Sequence, residues 1–557
     1  MVQWSNNMNK INPIPKIGDI KSNVVRQKYL LLIFVLIFFF IYSYFSFLPF
    51  HKYSSPDETL NYFFTNHFIE NGNFKYEESL NSRFEGIIKP RSFAYAGDGY
   101  TVPGSFLGLP LFYGVLGKIF GTWIIYYIGP LLASLSVFFF YLFIKKIFTD
   151  KIAFISSLIL FTQPIFIFYA MRPFWHNGLF VSFLIIASYF LLRIINEKKW
   201  RDYLLFGIFL GLSLAIRTSE LVWILFSVIA FLGINYKKIN RKYLIISLFS
   251  FIIILAPLFY YQYQTYGNAL TTSYTRGLFE GTSASNDGNS SAFQILSKIF
   301  LPFGYKPELF LKTFYNYSFK LMFPWFTLAI FGLVIILKRF WQTRDNKKIL
   351  FYSLWFLGVS LWLMVFYGSL KFVEYINEES ILIGISYARY WLPIYIFCLP
   401  LTVVFTLYIS EKIIPEVRKL SLVLLVALII FVGIFQIFLD PYYGVQETKT
   451  NFLAEAKTKL YFALEKTEKN AIIIAGVSDK IYWPERRVIG YNGTIMPTDI
   501  LVKIKSLSEI SPVYYDCSTS SEIQRVNNYL YERELNFKPV AADSNFYVLS
   551  KIKNDNL

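Results

Sequence analysis

Two adjacent carboxylates, Asp57 and Glu58, follow a proline shortly after the first long apolar segment. A carboxylate fixed at a membrane surface is suited to act as a general base that takes a proton from an acceptor hydroxyl. A structural interpretation also exists, because Pro-Asp is a common helix start and the helix dipole favours carboxylates there. Neighbours on a helix are about 100° apart, so Glu58 is predicted to support Asp57 rather than to share its role.

Cations stand near the predicted level of these carboxylates. Arg172, Arg217 and Arg389 each lie at the end of an apolar segment, and Lys89 and Arg91 lie between the first two long segments. A charge at a membrane boundary is costly and is usually paired or functional, although a single cation can extend towards lipid head groups. Several cations facing two carboxylates predict a site that binds an anionic group, with three tyrosines as further substrate contacts: Tyr387, Tyr390 and Tyr274.

Composition indicates the setting of these residues. Of the 557 residues, 55% are hydrophobic and only 16% are charged, against roughly 25% charged in soluble domains. The net charge is +18, but the cations lie in the connections between the apolar segments. This distribution argues against nucleic acid as a partner. The three histidines have no metal-ligand spacing, so no metal site is predicted, although a divalent metal remains possible as a cofactor.

The apolar segments predict a polytopic α-helical membrane protein. A bilayer needs about 20 apolar residues per helix, and we count eleven runs: 30–48, 122–144, 152–170, 177–193, 203–216, 219–235, 243–262, 320–337, 349–369, 389–409 and 419–439. Every second connection is short and basic, which places those connections in the cytoplasm. The chain is therefore predicted to lie in the cell membrane with a cytoplasmic N-terminus.

Three regions follow from this topology. Residues 1–29 form a cytoplasmic segment, and residues 30–440 form the membrane domain with long outer loops at 49–121 and 263–319. Within the first loop, apolar residues at helical spacing after Glu58 predict an amphipathic helix on the membrane surface. Residues 441–557 alternate helix and strand patterns and predict a small extracytoplasmic α/β domain.

The order and placement of several motifs resemble the GT-C superfamily of integral-membrane glycosyltransferases, in the branch with protein O-mannosyltransferases and lipid A aminoarabinose transferases. The resemblance lies in Asp57-Glu58 and in four segments: VPGSFLGLPLFYGVLGKIFG (102–121), GLSLAIRTSELV (211–222), YQYQTYGNALTTSY (261–274) and ARYWLPIYIF (388–397). It implies a polyprenyl- or dolichyl-phosphate sugar as donor and Asp57 as the base. The chain departs from the family in lacking its Lys-Pro-Pro signature, for which Lys89-Pro90-Arg91 and Val102-Pro103 are only loose substitutes.

Physical chemistry favours the same reaction. Nucleotide sugars are made in the cytoplasm, so a site on the outer face needs a donor that crosses the membrane as a lipid. A phosphate leaving group needs cations to stabilise its charge, and one carboxylate then suffices as base. We therefore predict single displacement with inversion onto a hydroxyl of a glycan, a protein or a lipid. Two alternatives remain: a multi-pass transporter or lipid flippase, and a non-catalytic assembly or sensor protein.

Overall fold

The computed structural model describes residues 21–272, 301, 303–370, 381–384, 386–440, 444–445, 447–517, 519–541 and 544–552. Helices of the first half are α1 (Lys21–Ser46), α2 (Pro56–Asn71), α3 (Gly108–Phe120), α4 (Ile125–Lys145), α5 (Asp150–Phe161), α6 (Pro164–Ala170), α7 (His176–Glu197), α8 (Trp200–Ile216), α9 (Leu221–Ile234) and α10 (Arg241–Tyr266). The membrane domain continues with α11 (Pro307–Phe314), α12 (Phe323–Thr343), α13 (Lys347–Gly368), α14 (Ser386–Tyr390), α15 (Leu392–Phe397), α16 (Leu399–Lys412) and α17 (Arg418–Leu439).

The membrane helices confirm a polytopic α-helical fold, with a smaller count of spans. Eight helices of the described chain are long and apolar enough to cross a bilayer, or ten if each of two bent pairs forms one span. The prediction of eleven crossings counted 203–216 and 219–235 separately. Those two runs form α8 and α9, which are short and meet at a bend of 114°, so neither reaches the length of an independent span.

The packing of α8 against α10 gives the direction in which α9 runs. Ser247 in α10 donates a hydrogen bond to the carbonyl oxygen of Tyr203 in α8 at 2.8 Å. A Cβ on Gly207 would lie 2.3 Å from the carbonyl oxygen of Ser247, so α8 and α10 touch closely there. Gly211, one turn further along α8, lies against Ile254. The two helices therefore run parallel, and α9 must return to the end where α8 begins. Which end of the bundle faces outward stays a prediction.

The loop between α1 and α4 contains α2, α3 and a small antiparallel sheet of β1 (Tyr76–Glu77), β2 (Phe93–Gly97) and β3 (Tyr100–Pro103) in the order β1-β3-β2. Leu60, Phe64 and Phe68 on α2 are buried in a cluster that also contains Leu111 of α3 and Trp483. The predicted helix exists, but its apolar face packs on protein instead of lying free for lipid. The apolar face of α2 contacts protein rather than lipid because residues from the last hundred of the chain, such as Trp483, pack on the loop.

Those residues form the predicted α/β domain. Its strands are β4 (Ile472–Ala475), β5 (Arg487–Gly490), β6 (Val513–Asp516), β7 (Leu535–Pro539) and β8 (Phe546–Lys551), in the order β5-β4-β6-β8-β7. The three strands β5, β4 and β6 are parallel to one another. Strand β8 is antiparallel to both of its neighbours, β6 and β7. The helices are α18 (Phe452–Lys466), α19 (Asp479–Tyr482), α20 (Thr498–Leu501), α21 (Ile504–Ser508) and α22 (Ser520–Tyr531).

Candidate active site

Asp57 and Glu58 lie in the first turn of α2. Ser55 is the N-cap of this helix, and its hydroxyl oxygen accepts a hydrogen bond from the backbone N–H of Asp57 at 3.2 Å. Pro56 occupies the first helical position, where a missing N–H costs nothing. Capping is therefore performed by Ser55, and the side chain of Asp57 is left for other contacts.

The Asp57 carboxylate is held by two groups from distant parts of the chain. Arg389 of α14 donates a hydrogen bond from Nη1 to Oδ2 at 3.1 Å, and the hydroxyl of Ser92 donates to Oδ1 at 2.7 Å. Burial alone raises the pKa of Asp57, but the charge of Arg389 and the Ser92 hydrogen bond oppose it, and the net pKa lies below the usual value. Asp57 is thus ionised at neutral pH and ready to accept a proton.

Glu58 forms a second and deeper ion pair. Its carboxylate binds Arg172 through Nη2 and also through Nε, the latter at 2.9 Å. The hydroxyl of Ser54 accepts a further hydrogen bond from Arg172 at 2.6 Å. Asp57 and Glu58 thus have different arginines, as their separation around the helix axis predicts.

Trp175 connects the two ion pairs. The guanidinium carbon of Arg389 lies 4.7 Å from the centre of the Trp175 ring, and that of Arg172 lies 5.9 Å from it. An aromatic face attracts cations within about 6 Å, so Trp175 holds both guanidinium groups at one level. The structure therefore brings Arg389 and Arg172, both predicted to bind the donor phosphate, to one place.

Tyr390 extends this cluster towards Arg217. Its ring lies 4.9 Å from the guanidinium carbons of both Arg389 and Arg217, and it stacks on Tyr367 at 4.3 Å. Arg217 is buried and pairs with the buried carboxylate of Glu220 at 2.8 Å. Arg217 is thus near the site but is neutralised by its own carboxylate.

The other predicted residues lie elsewhere. Arg91 pairs with Asp479 of the α/β domain at 2.8 Å, and Lys89 donates from Nζ to the carbonyl oxygen of Gly86 at 2.7 Å. Tyr387 donates its hydroxyl hydrogen to the carbonyl oxygen of Leu370. In the described chain, Lys89, Arg91 and Tyr387 therefore bond to groups other than Asp57 and Glu58. Tyr274 lies outside the described residues.

A small pocket opens beside the Glu58–Arg172 pair, lined by side chains that include Tyr53, Ser54, Glu58, Arg172 and Lys449. The Nη1 group of Arg172 is buried and has no hydrogen-bond partner among the described residues. A buried guanidinium N–H without a partner is costly, and an anionic ligand would satisfy it.

Four residues of this cluster were not found from the sequence: Ser92, Trp175, Glu220 and Tyr367. Trp175 and Glu220 lie three residues after Arg172 and Arg217, so local spacing offered a signal for both. Ser92 and Tyr367 had no such signal in the sequence, because only the fold brings them close to Asp57 and Tyr390. Within the described residues, no group of three or more His, Cys, Asp or Glu side chains is arranged to hold a metal ion.

Comparisons with known proteins agree with this architecture. The family model of dolichyl-phosphate-mannose-protein mannosyltransferases matches residues 103–261. The chain also superposes on the oligosaccharyltransferase of Archaeoglobus fulgidus tethered to an acceptor peptide containing the NVT sequon, with a TM-score of 0.50, 12% identity, and coverage of 88% of this chain and 69% of that one. The apo form of that enzyme gives a TM-score of 0.49, 14% identity, and coverage of 88% and 70%.

The comparison with curated proteins finds no match. The archaeal enzyme shows the fold of this chain, and the family model covers the segment from β3 to α10 that carries Arg172 and Arg217. The predicted GT-C-like fold is therefore confirmed, and over residues 103–261 the chain is similar to the dolichyl-phosphate-mannose-protein mannosyltransferases.

Proposed function

We propose that the chain transfers a sugar from a polyprenyl- or dolichyl-phosphate donor to a hydroxyl acceptor on the outer face of the membrane, with Asp57 as general base. The observation that carries this proposal is the Asp57 carboxylate, kept ionised by Arg389 and Ser92 beside a second arginine. A charged carboxylate next to guanidinium groups combines proton acceptance with binding of a phosphate.

The reaction is a single displacement. The acceptor hydroxyl gives its proton to Asp57, and its oxygen forms a bond to the anomeric carbon of the sugar. The bond between that carbon and the phosphate oxygen breaks, and the electron pair leaves with the polyprenyl phosphate. Attack opposite to the leaving group inverts the anomeric configuration, and no acid is needed because the phosphate leaves as an anion stabilised by cations.

Arg172 and Arg389 are the proposed phosphate ligands. Both lie on Trp175, and Arg172 has a buried N–H group without a hydrogen-bond partner among the described residues. A guanidinium group can donate two parallel hydrogen bonds to two phosphate oxygens. Lys89 and Arg91 are left out of this proposal, because they contact the backbone of their own loop and Asp479.

A lipid donor also needs an apolar surface within the bilayer. An apolar groove lies between α12, α16 and α17, and its charged lining residues in the described chain are Lys320 and Asp440. The backbone N–H of Ile383 donates to Asp440 at 3.3 Å, and the same segment leads to Arg389. The groove supports a substrate with a long hydrocarbon chain.

Mass spectrometry of surface glycans tests the proposal in cells. Cells with the unchanged chain and cells with Asp57→Asn are compared for glycoproteins and glycolipids. We expect one sugar to disappear from the variant cells, at equal amounts of membrane-inserted protein. Identical glycans in the two cell lines would contradict the proposal, and the modified molecule identifies the acceptor class.

A further inference from the structure

We propose that the α/β domain positions the base of the membrane domain, through Asp479, Arg91 and Ser92. This inference rests on the proposed role of Asp57 and adds three positioning residues to it. The domain then has a part in the reaction through the position of the base. The argument follows the contacts from the sheet of the domain to the carboxylate of Asp57.

The first contact joins the two domains. Asp479, at the start of α19, accepts hydrogen bonds from the backbone N–H of Arg91 at 2.6 Å, from its Nε at 3.0 Å and from its Nη2 at 2.8 Å. The side chain of Asp479 is fully buried and that of Arg91 is 8% exposed. A buried carboxylate that binds both the main chain and the side chain of one residue fixes that residue in position and orientation.

The main chain on either side of Arg91 is also held. The backbone N–H of Gly490, the last residue of β5, donates to the carbonyl oxygen of Lys89 at 2.9 Å. A Cβ on Gly490 would lie 2.5 Å from Oδ2 of Asp479 and 2.6 Å from the backbone nitrogen of Arg91. The loop therefore sits so close to the sheet of the α/β domain that a side chain at position 490 would displace it.

The second contact leads to the base. Ser92 has a φ of +66°, a left-handed conformation that is uncommon for a residue other than glycine. Its carbonyl oxygen accepts from the backbone N–H of Gly104 at 2.9 Å, and its hydroxyl donates to Asp57 at 2.7 Å. Strained backbone persists where surrounding contacts enforce it, and here the enforcing contacts are those of Arg91 and Gly104.

The hydroxyl of Ser92 affects the chemistry of the carboxylate. A hydrogen bond donated to a carboxylate favours the ionised form. The other charged or titratable groups that act on Asp57 are Arg389, His176 and Glu58. None of these groups belongs to the α/β domain, whereas the contacts of Asp479 with Arg91 and of Ser92 with Asp57 lead from that domain to the carboxylate itself.

The pH profile of sugar transfer tests the proposal. Ser92→Gly removes the hydroxyl and accepts a positive φ, so folding is retained. Asp479→Asn keeps one acceptor oxygen but removes the charge that holds Arg91. The matched control is Arg487→Gln, because Arg487 joins the same two domains through Glu78 at 3.0 Å without touching the segment from Lys89 to Ser92.

The assay measures release of polyprenyl phosphate from a synthetic polyprenyl-phosphate mannose, with membranes of the same cells as acceptor. For Ser92→Gly and Asp479→Asn we expect the acid limb of the profile to move to higher pH, with turnover at acid pH about fivefold lower, the change that loss of one ordinary hydrogen bond produces. The KM for the donor and the profile of Arg487→Gln should stay unchanged.

Two outcomes overturn the inference. A profile of Ser92→Gly that superposes on that of the unchanged chain shows that the hydroxyl does not tune the base. A shift in Arg487→Gln as large as that in Asp479→Asn shows a general effect of domain contact. In both cases Asp57 can still be the base. By contrast, normal turnover in Asp57→Asn removes the proposed function itself, so the two failures are distinguishable.

Discussion

Replacement of Asp57 by Asn is the most direct perturbation of the proposed base. Asn has nearly the same shape, and its carbonyl oxygen can still accept the hydrogen bond that Ser92 donates at 2.7 Å. It cannot accept the proton of the acceptor hydroxyl. General-base catalysis contributes typically about 10²- to 10⁴-fold, so we expect turnover to fall by at least about 100-fold while donor binding is nearly intact.

The same change has a calculable effect on stability. Arg389 is 13% exposed and Asp57 is 21% exposed, so the pair is partly shielded from water. Removal of the carboxylate charge leaves Arg389 with a weaker partner. A hydrogen bond to a charged group contributes about 1.5–3 kcal/mol, and the exposure of the pair places the loss of unfolding free energy near the lower value. Such a loss leaves the protein folded.

Asp150→Asn is a matched control. Asp150 also begins a helix, pairs with Lys145 at 2.7 Å and is 23% exposed. The substitution therefore removes an equivalent ion pair that is not part of the site. Transfer from a polyprenyl-phosphate sugar is measured in detergent for both purified variants, together with thermal unfolding. Loss of activity in Asp57→Asn alone supports the base. Near-normal turnover of folded Asp57→Asn would refute the reasoning.

Four further outcomes are expected. Arg389→Lys keeps the charge but loses the bidentate fork, so transfer should fall about tenfold or more in kinetic assays while the protein stays folded. Arg172→Gln should raise the KM for the donor if Arg172 binds phosphate, and an unchanged KM would exclude it. A cysteine placed at Asn492 should react with an impermeant thiol reagent on intact cells, and one at Lys347 should not; the reverse labelling contradicts the orientation. The pKa of Asp57 is lowered, so its ion pair with Arg389 stabilises the protein at pH values above the usual carboxyl pKa. This stabilisation is lost as the pH falls through the lowered pKa of Asp57. Activity and thermal stability should therefore decline together only on the acid side.

The hydrophobic pattern predicted the membrane domain because apolar runs of bilayer length have few alternatives to helices. The run 152–170 and the two runs 203–216 and 219–235 show the limit of this signal. Gln163 interrupts the first run and Arg217 stands between the other two, and the structure bends by 58° and 114° at these places. A count of apolar residues gives the length of a segment, but the direction after a break depends on what the next helix packs against.

The carboxylates and arginines of the site were predictable as residue types at the membrane boundary. Their pairing was not, because charge alone does not choose between partners. Arg91 and Arg389 were both predicted to bind the anionic group, yet Arg91 binds Asp479 and Arg389 binds Asp57. The deciding factor is the α/β domain, whose buried Asp479 needs a cation nearby. The arginine that pairs with Asp479 is determined by how the α/β domain docks on the first loop.

The two ion pairs of α2 differ in a way that separates their roles. Glu58 and Arg172 are 2% and 10% exposed and share two contacts, whereas Asp57 and Arg389 are more exposed and share one hydrogen bond. Separating buried charges is costly unless new partners replace the old ones. The Asp57 pair can therefore open more easily when a phosphate arrives for the arginine and a hydroxyl for the carboxylate. In the proposed reaction, Glu58 holds Arg172 and the start of α2 in place, and Asp57 takes the proton.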